Sequence, residues 1–164
     1  WMTARLYAAA PQLDEAELRA DRGAFFGSIA ATLDHVLAAD THWMKRFAAA
    51  LPDLASLDVV RALPLPELVR GITFPDFARL RSGREAMDAA IVDFTREATD
   101  AWLGRPLHYV NSAGESHAKL SGLVLRHVFN HQTHHRGQVT TLFSQLGVDV
   151  GVTDLSALIP ECLD

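Results

Sequence analysis

Cysteine is nearly missing from the 164 residues, with Cys162 the sole example. No disulfide can therefore form within the chain, which fits a reducing, cytoplasmic setting. Cys162 has no local partners of the kind that activate a thiol, so it reads as a small tail residue rather than a nucleophile. Positive charge is in deficit: Lys and Arg number 15 against 20 Asp and Glu, a net charge of -5. That balance argues against nucleic acid as a partner, because phosphate binding needs a basic surface. No run of about 18 apolar residues occurs, so no membrane span is expected. Several catalytic signatures are also missing. There is no His-Glu-x-x-His of a zinc protease, no Glu-x-x-His of a di-iron bundle, no Gly-rich phosphate loop and no Gly-x-Ser-x-Gly elbow.

What is present favours helix. Hydrophobic residues make up 49% and charged residues 21%, a balance that suits a folded domain and excludes a disordered chain. Alanine is abundant and strand-favouring Ile, Thr and Tyr are sparse. One domain is expected at this length. The pattern predicts a short helix from about Met2 to Ala9, stopped by Pro11, and a connection with a helical turn over Asp14–Gly23. A long helix follows from about Ser28 to Ala49. Its inward stripe is led by Phe25 and Phe26 and continued by Ile29, Leu33, Val36, Leu37, Met44 and Phe47. Residues Leu51–Pro75, with four prolines, read mainly as loop. A third helix is predicted over Asp76–Leu103. Leu107–Lys119 reads as a small hairpin turning on Asn111-Ser112-Ala113-Gly114. The last long helix runs from about Leu120 to Leu146, with Gly147 as its stop, and the tail carries one short turn near Ser156–Leu158. Four amphipathic helices in one domain make an all-α bundle the economical fold, and the long link before the third helix leaves room for a crossover. Trp1, Leu6 and Tyr7 read as the end of a helix already under way, so residues upstream of Trp1 are expected.

The densest chemistry lies in Asn130-His131-Gln132-Thr133-His134-His135-Arg136-Gly137-Gln138. His131 and His135 are four apart, so a helix stacks both rings on one face, where they can share one transition metal. On a helical wheel His135 falls within about 15° of the apolar centre and His131 within about 55°. His127 and His134 lie further round, at about 95° and 115°. His131 with His135 is therefore the favoured inward pair, and His127 with His131, at the same spacing, is the second choice. Two buried imidazoles one turn apart must both stay neutral or find partners, and a shared metal meets that demand. A third ligand must come from another helix. His35 and His42, seven apart on a stripe of small Ala31, Ala38 and Ala39, are the candidates, and the wheel does not choose between them. His108 and His117 belong to the hairpin, where exposure is the default. Arg136 reads as a salt bridge or loop anchor. Gly137 costs about 1 kcal/mol against alanine inside a helix, which close packing of a neighbouring helix would explain.

The stretch His127–Gln138 resembles the signature of the DinB (damage-inducible, YfiT-like) family of metal-binding four-helix bundles. Asp21–Ile29 with Thr32–Asp40, and the tail Gly147–Leu155, agree with it. The resemblance implies a bundle in up-down-down-up order, often dimeric. It also selects His35 over His42, because the family places a histidine in a Leu-Asn-His block before an Ala-Asp pair; here Asp34 replaces the usual Asn. With His131 and His135 this gives an implied three-histidine site for a divalent ion: zinc or nickel first, iron or manganese next. His42, His127 and His134 are then expected to line the cleft or move protons, with Asp40 orienting ligands; Asn130 and Gln138 are weaker candidates. An incomplete protein shell is the mark of a catalytic site. The resemblance implies a metal-dependent transferase or hydrolase acting on a small molecule, with a low-molecular-weight thiol as the leading co-substrate. The alternative is a non-catalytic metal-binding stress protein.

Overall fold

The computed structural model describes residues 1–66 and 73–162. The chain is mostly helical, with one two-stranded sheet. Helix α1 (Met2–Ala9) leads through a 3-10 turn to α2 (Glu15–Arg19). Asp14 and Glu17 cap α2 reciprocally, each side chain accepting from the other's backbone N–H, the arrangement that satisfies two orphan donors at once. Helix α3 (Ile29–Ala50) starts at Ser28, whose hydroxyl accepts from Ala31 N at 3.1 Å. After it, the expected loop contains a 3-10 turn and a short helix α4 (Asp58–Ala62). Arg61 of α4 donates to the carbonyl of Leu51 at 2.5 Å, just past the end of α3, where carbonyls lack intrahelical partners. The part of that loop at residues 67–72 lies outside the described residues.

The helix expected over Asp76–Leu103 is in fact two. Helix α5 (Phe77–Glu97) ends at Ala98, which is extended (φ -62°, ψ 126°). Thr99 then caps α6 (Asp100–Leu103), its side chain accepting from Trp102 N at 3.2 Å. Tertiary packing overrides the helical pattern here: the break sets Trp102 edge-on to both Phe47 and Phe94, each at 5.4 Å between ring centroids. Phe47 and Phe94, fully buried, stack on each other at 5.5 Å and form the centre of the core.

Strands β1 (Pro106–Val110) and β2 (Ser116–Leu120) pair antiparallel, from Pro106 opposite Leu120 to Val110 opposite Ser116. Asn111 makes the turn, its Oδ1 accepting from the backbone of Ala113 and Glu115, both at 2.9 Å. Strand β2 runs directly into α7 (Ser121–Gln145). Helix α7 closes on Gly147 (φ +72°), with Gly147 N bonded to Ser144 O and Val148 N to Phe143 O, a left-handed stop that glycine adopts without strain.

Helix α3 packs against both α5 and α7, and α1 packs on α7. A buried polar knot ties the three long helices together. Asp40 of α3 accepts from Arg84 of α5 at 2.5 Å and from Gln132 of α7 at 2.8 Å, while Arg84 also faces Asp88 at 2.7 Å. Burial raises the Asp40 carboxyl above its ordinary value, and Arg84 and Gln132 oppose that rise. Phe25 departs from the expected stripe. It lies ahead of α3 rather than on it and is 67% exposed.

Candidate metal centre

Two helices supply the site. His35 sits two turns into α3 and His131 and His135 sit mid-way along α7, where α3 and α7 pack side by side. His131 Nε2 lies 3.3 Å from His35 Nε2 and 3.1 Å from His135 Nε2. One ligating nitrogen from each ring lies within 4.8 Å of the others. Two nitrogens bound at 2.0–2.1 Å to a tetrahedral ion stand about 3.3 Å apart. The two spacings from His131 match that edge and the third lies within 4.8 Å, so the three rings are compatible with a single small divalent cation.

The local chemistry fits as well. His135 donates from Nδ1 to Gln138 Oε1 at 2.8 Å. That bond places the proton on Nδ1 and turns the Nε2 lone pair toward the other rings, the usual second contact of a metal-binding imidazole. His131 Nε2 faces two other ring nitrogens, and one N–H cannot serve both well, whereas a cation would serve all three. The rings are also held neutral, as ligation requires. Burial, and then the neighbouring His135 ring, lower His35 to about 4. Burial, followed by His135 and His35, lowers His131 to about 4. Burial lowers His135 too, against the upward pull of Gln138.

Phe26 covers one side. Its ring stacks on His35 at 4.0 Å and 22° and meets His135 edge-on at 5.5 Å. The loop that carries it is closed by Arg22 N bonding Gly27 O at 2.7 Å, and Gly27 has φ +83°. Phe26 was expected only as an apolar helix residue. Its place beside two of the three rings depends on that loop, and no periodic signal announces it.

The remaining candidates are distributed around this group. His134 is exposed, 4.9 Å from the His135 ring, with Nε2 3.2 Å from Gln138 Nε2. His127 is exposed, 6.0 Å from the His131 ring and edge-on to Trp43 at 5.5 Å. His42 is not brought to the group: its Nε2 donates to the Pro66 carbonyl at 2.7 Å, and it lines a separate hollow with Lys45, Arg46 and His108. Asp40 belongs to the buried knot with Arg84 rather than to the rings. Asp34, at the position of the family's Asn, is buried, and its Oδ2 accepts from Thr73 N at 2.8 Å and Phe74 N at 3.1 Å. Asn130 is exposed. Arg136 reaches Gln132 Oε1 at 3.2 Å and Thr133 Oγ1 at 2.9 Å, so it braces α7 rather than forming a salt bridge. Close packing does not explain Gly137, since a Cβ there would meet nothing within 4 Å. Gln132 escaped the sequence reading; its position one residue from His131, on a face shared with Val128 and His135, was the available signal.

A mostly helical chain with three neutral imidazoles gathered from two helices defines a class of histidine-rich helical proteins. Residues 1–160 match the family described as the DinB family, and the chain belongs to it. No curated protein and no solved structure matches the chain. Among the described residues no helix is long and apolar enough to cross a membrane.

Proposed function

We propose that His35, His131 and His135 bind one divalent metal ion, zinc or nickel before iron or manganese, and that the protein is a metal-dependent enzyme acting on a small molecule. The observation that carries this reading is the convergence of three ring nitrogens at 3.1 and 3.3 Å, with Gln138 setting the His135 tautomer. Three protein ligands leave coordination positions free for substrate, which favours a catalytic over a purely structural ion. When bound, the ion supplies Lewis acidity, which brings the ionisation of a coordinated water or thiol toward neutral pH. We infer transfer to or from a low-molecular-weight thiol as the leading reaction class and hydrolysis as the next.

The chain's own residues have distinct parts in this scheme. Gln138 orients His135, and Phe26 restricts approach from the side of His35. In this reading His134 and His127, both exposed beside the group, take or give a proton at a bound substrate. His42 has no part in it. The fold we assign is a single domain, a four-helix bundle of up-down-down-up order built on α1, α3, α5 and α7. We infer a cytoplasmic homodimer. The second reading is a non-catalytic stress protein whose metal only braces α3 against α7.

Metal analysis of protein purified without a histidine tag tests the site; about one equivalent per chain is expected, and none in the triple alanine variant. Turnover against a panel of small thiols and electrophiles separates the two readings. Loss of turnover in His135→Ala with helicity intact supports the enzyme. Unfolding of that variant, with no activity in any assay, favours the structural metal.

A further inference from the structure

A second hollow, of about 450 Å³, lies between α3 and the β1–β2 turn. Its ionisable lining consists of His42, Lys45, Arg46, His108 and the Tyr109 phenol, with no Asp or Glu among the described residues that line it. This is unusual in a chain of net charge -5. Neither Lys45 nor Arg46 forms an ion pair with a carboxylate among the described residues. Their hydrogen-bond partners among the described residues are neutral. Lys45 Nζ donates to the Arg61 carbonyl at 3.1 Å, and Arg46 donates to the Val110 carbonyl at 3.4 Å.

The Arg46 guanidinium is also held in place before any ligand arrives. It lies over the Trp43 ring at 4.3 Å and the Tyr109 ring at 4.7 Å. Stacking engages the face of a guanidinium and leaves its N–H edge for bidentate bonds to an oxyanion. Half-buried, its charge is poorly solvated, and burial lowers its proton affinity. No carboxylate among the described residues neutralises it, and an anion in the hollow would do so.

We propose that this hollow is a binding subsite for the oxyanion group, phosphate or carboxylate, of a small molecule, with Arg46 and Lys45 as its recognition residues. The proposal does not depend on the metal reading, because none of the three converging histidines lines the hollow. Calorimetric titration with inorganic phosphate and, separately, with succinate at fixed ionic strength tests it and tells the two oxyanions apart. Saturable one-site binding of at least one of them is expected, weakened about tenfold or more by Arg46→Gln and by Lys45→Gln. Lys119→Gln, which removes a positive charge from the neighbouring hollow, is expected to leave it unchanged. Circular dichroism checks that each variant keeps its helicity; should Arg46→Gln unfold, Lys45→Gln alone decides. Non-saturable binding, equal binding by the decisive variants, or binding of a polyglutamate peptide without either small anion would overturn the proposal.

Discussion

Gln138 Oε1 accepts the Nδ1 proton of His135 at 2.8 Å while its amide nitrogen lies 3.2 Å from His134 Nε2. One side chain therefore fixes the tautomer of a ring in the three-histidine group and touches the exposed ring beside it. Gln138→Ala should leave helicity intact and weaken metal binding by about 10- to 100-fold, the usual effect of removing an orienting partner. Gln138→Glu, which keeps the acceptor, should retain most of the affinity. Competition with a chromophoric chelator measures both, and equal affinities for wild type and Gln138→Ala would remove Gln138 from the site.

Phe26 bears on coordination number rather than affinity alone. With its ring stacked at 4.0 Å on His35, Phe26→Ala should open that side to solvent. In cobalt-substituted protein the visible absorption should fall in intensity as coordination rises above four. An unchanged spectrum would mean that Phe26 only packs.

The knot of Asp40, Arg84 and Gln132 should matter for stability. Asp40 is 1% exposed and Arg84 2%, so Asp40→Ala leaves a guanidinium buried with Asp88 as its one carboxylate ion-pair partner among the described residues. A loss of about 3–5 kcal/mol is expected. Urea unfolding followed by circular dichroism measures it; a loss under about 1 kcal/mol would show the pair to be solvated.

Gly137 gives the opposite sign. It lies inside α7 with open space where a Cβ would be. Gly137→Ala should stabilise the protein by roughly 0.5–1 kcal/mol, through helix propensity and a less flexible unfolded chain. A destabilised variant would point to a contact at that face in the assembled protein.

Acid should destabilise the metal-free protein over a defined window. In the folded chain His35 and His131 sit at about 4, below the ordinary 6.5. Between those values the unfolded chain binds more protons than the folded one, so stability falls as pH drops from about 6.5 to about 4 and levels off below. His131→Ala should flatten that slope, measured as the urea midpoint against pH. An equal slope in the variant would place the titration elsewhere.

The long helices and the hairpin were legible in the sequence because local chemistry sets their ends: Ser28, Asp76, Asn111 and Gly147 start or stop elements as expected, whereas α4 lies in a stretch that reads as loop. The break at Ala98 was not legible either, since nothing in the local pattern outweighs helix there and the reward, Trp102 closing on the Phe47–Phe94 stack, needs Phe47 from a different helix. The apolar centre on a wheel of α7 also counts Leu120, Leu123 and Phe129, yet these are 48%, 58% and 40% exposed. The inward direction assigned to His131 and His135 tolerated those errors because Val124, Val128, Val139 and Leu142, all buried, share their face.

The sequence by itself determined that His131 and His135 share a face of α7, because the helical period fixes angles around a single axis. Only the tertiary structure decided which residues of other segments meet them. It brought His35 to 3.3 Å and sent His42, on the same helix, to the Pro66 carbonyl. It also laid Phe26 on His35. Such meetings depend on how α3 crosses α7 and on where a loop closes, and these follow from the packing of whole helices rather than from the spacing within one.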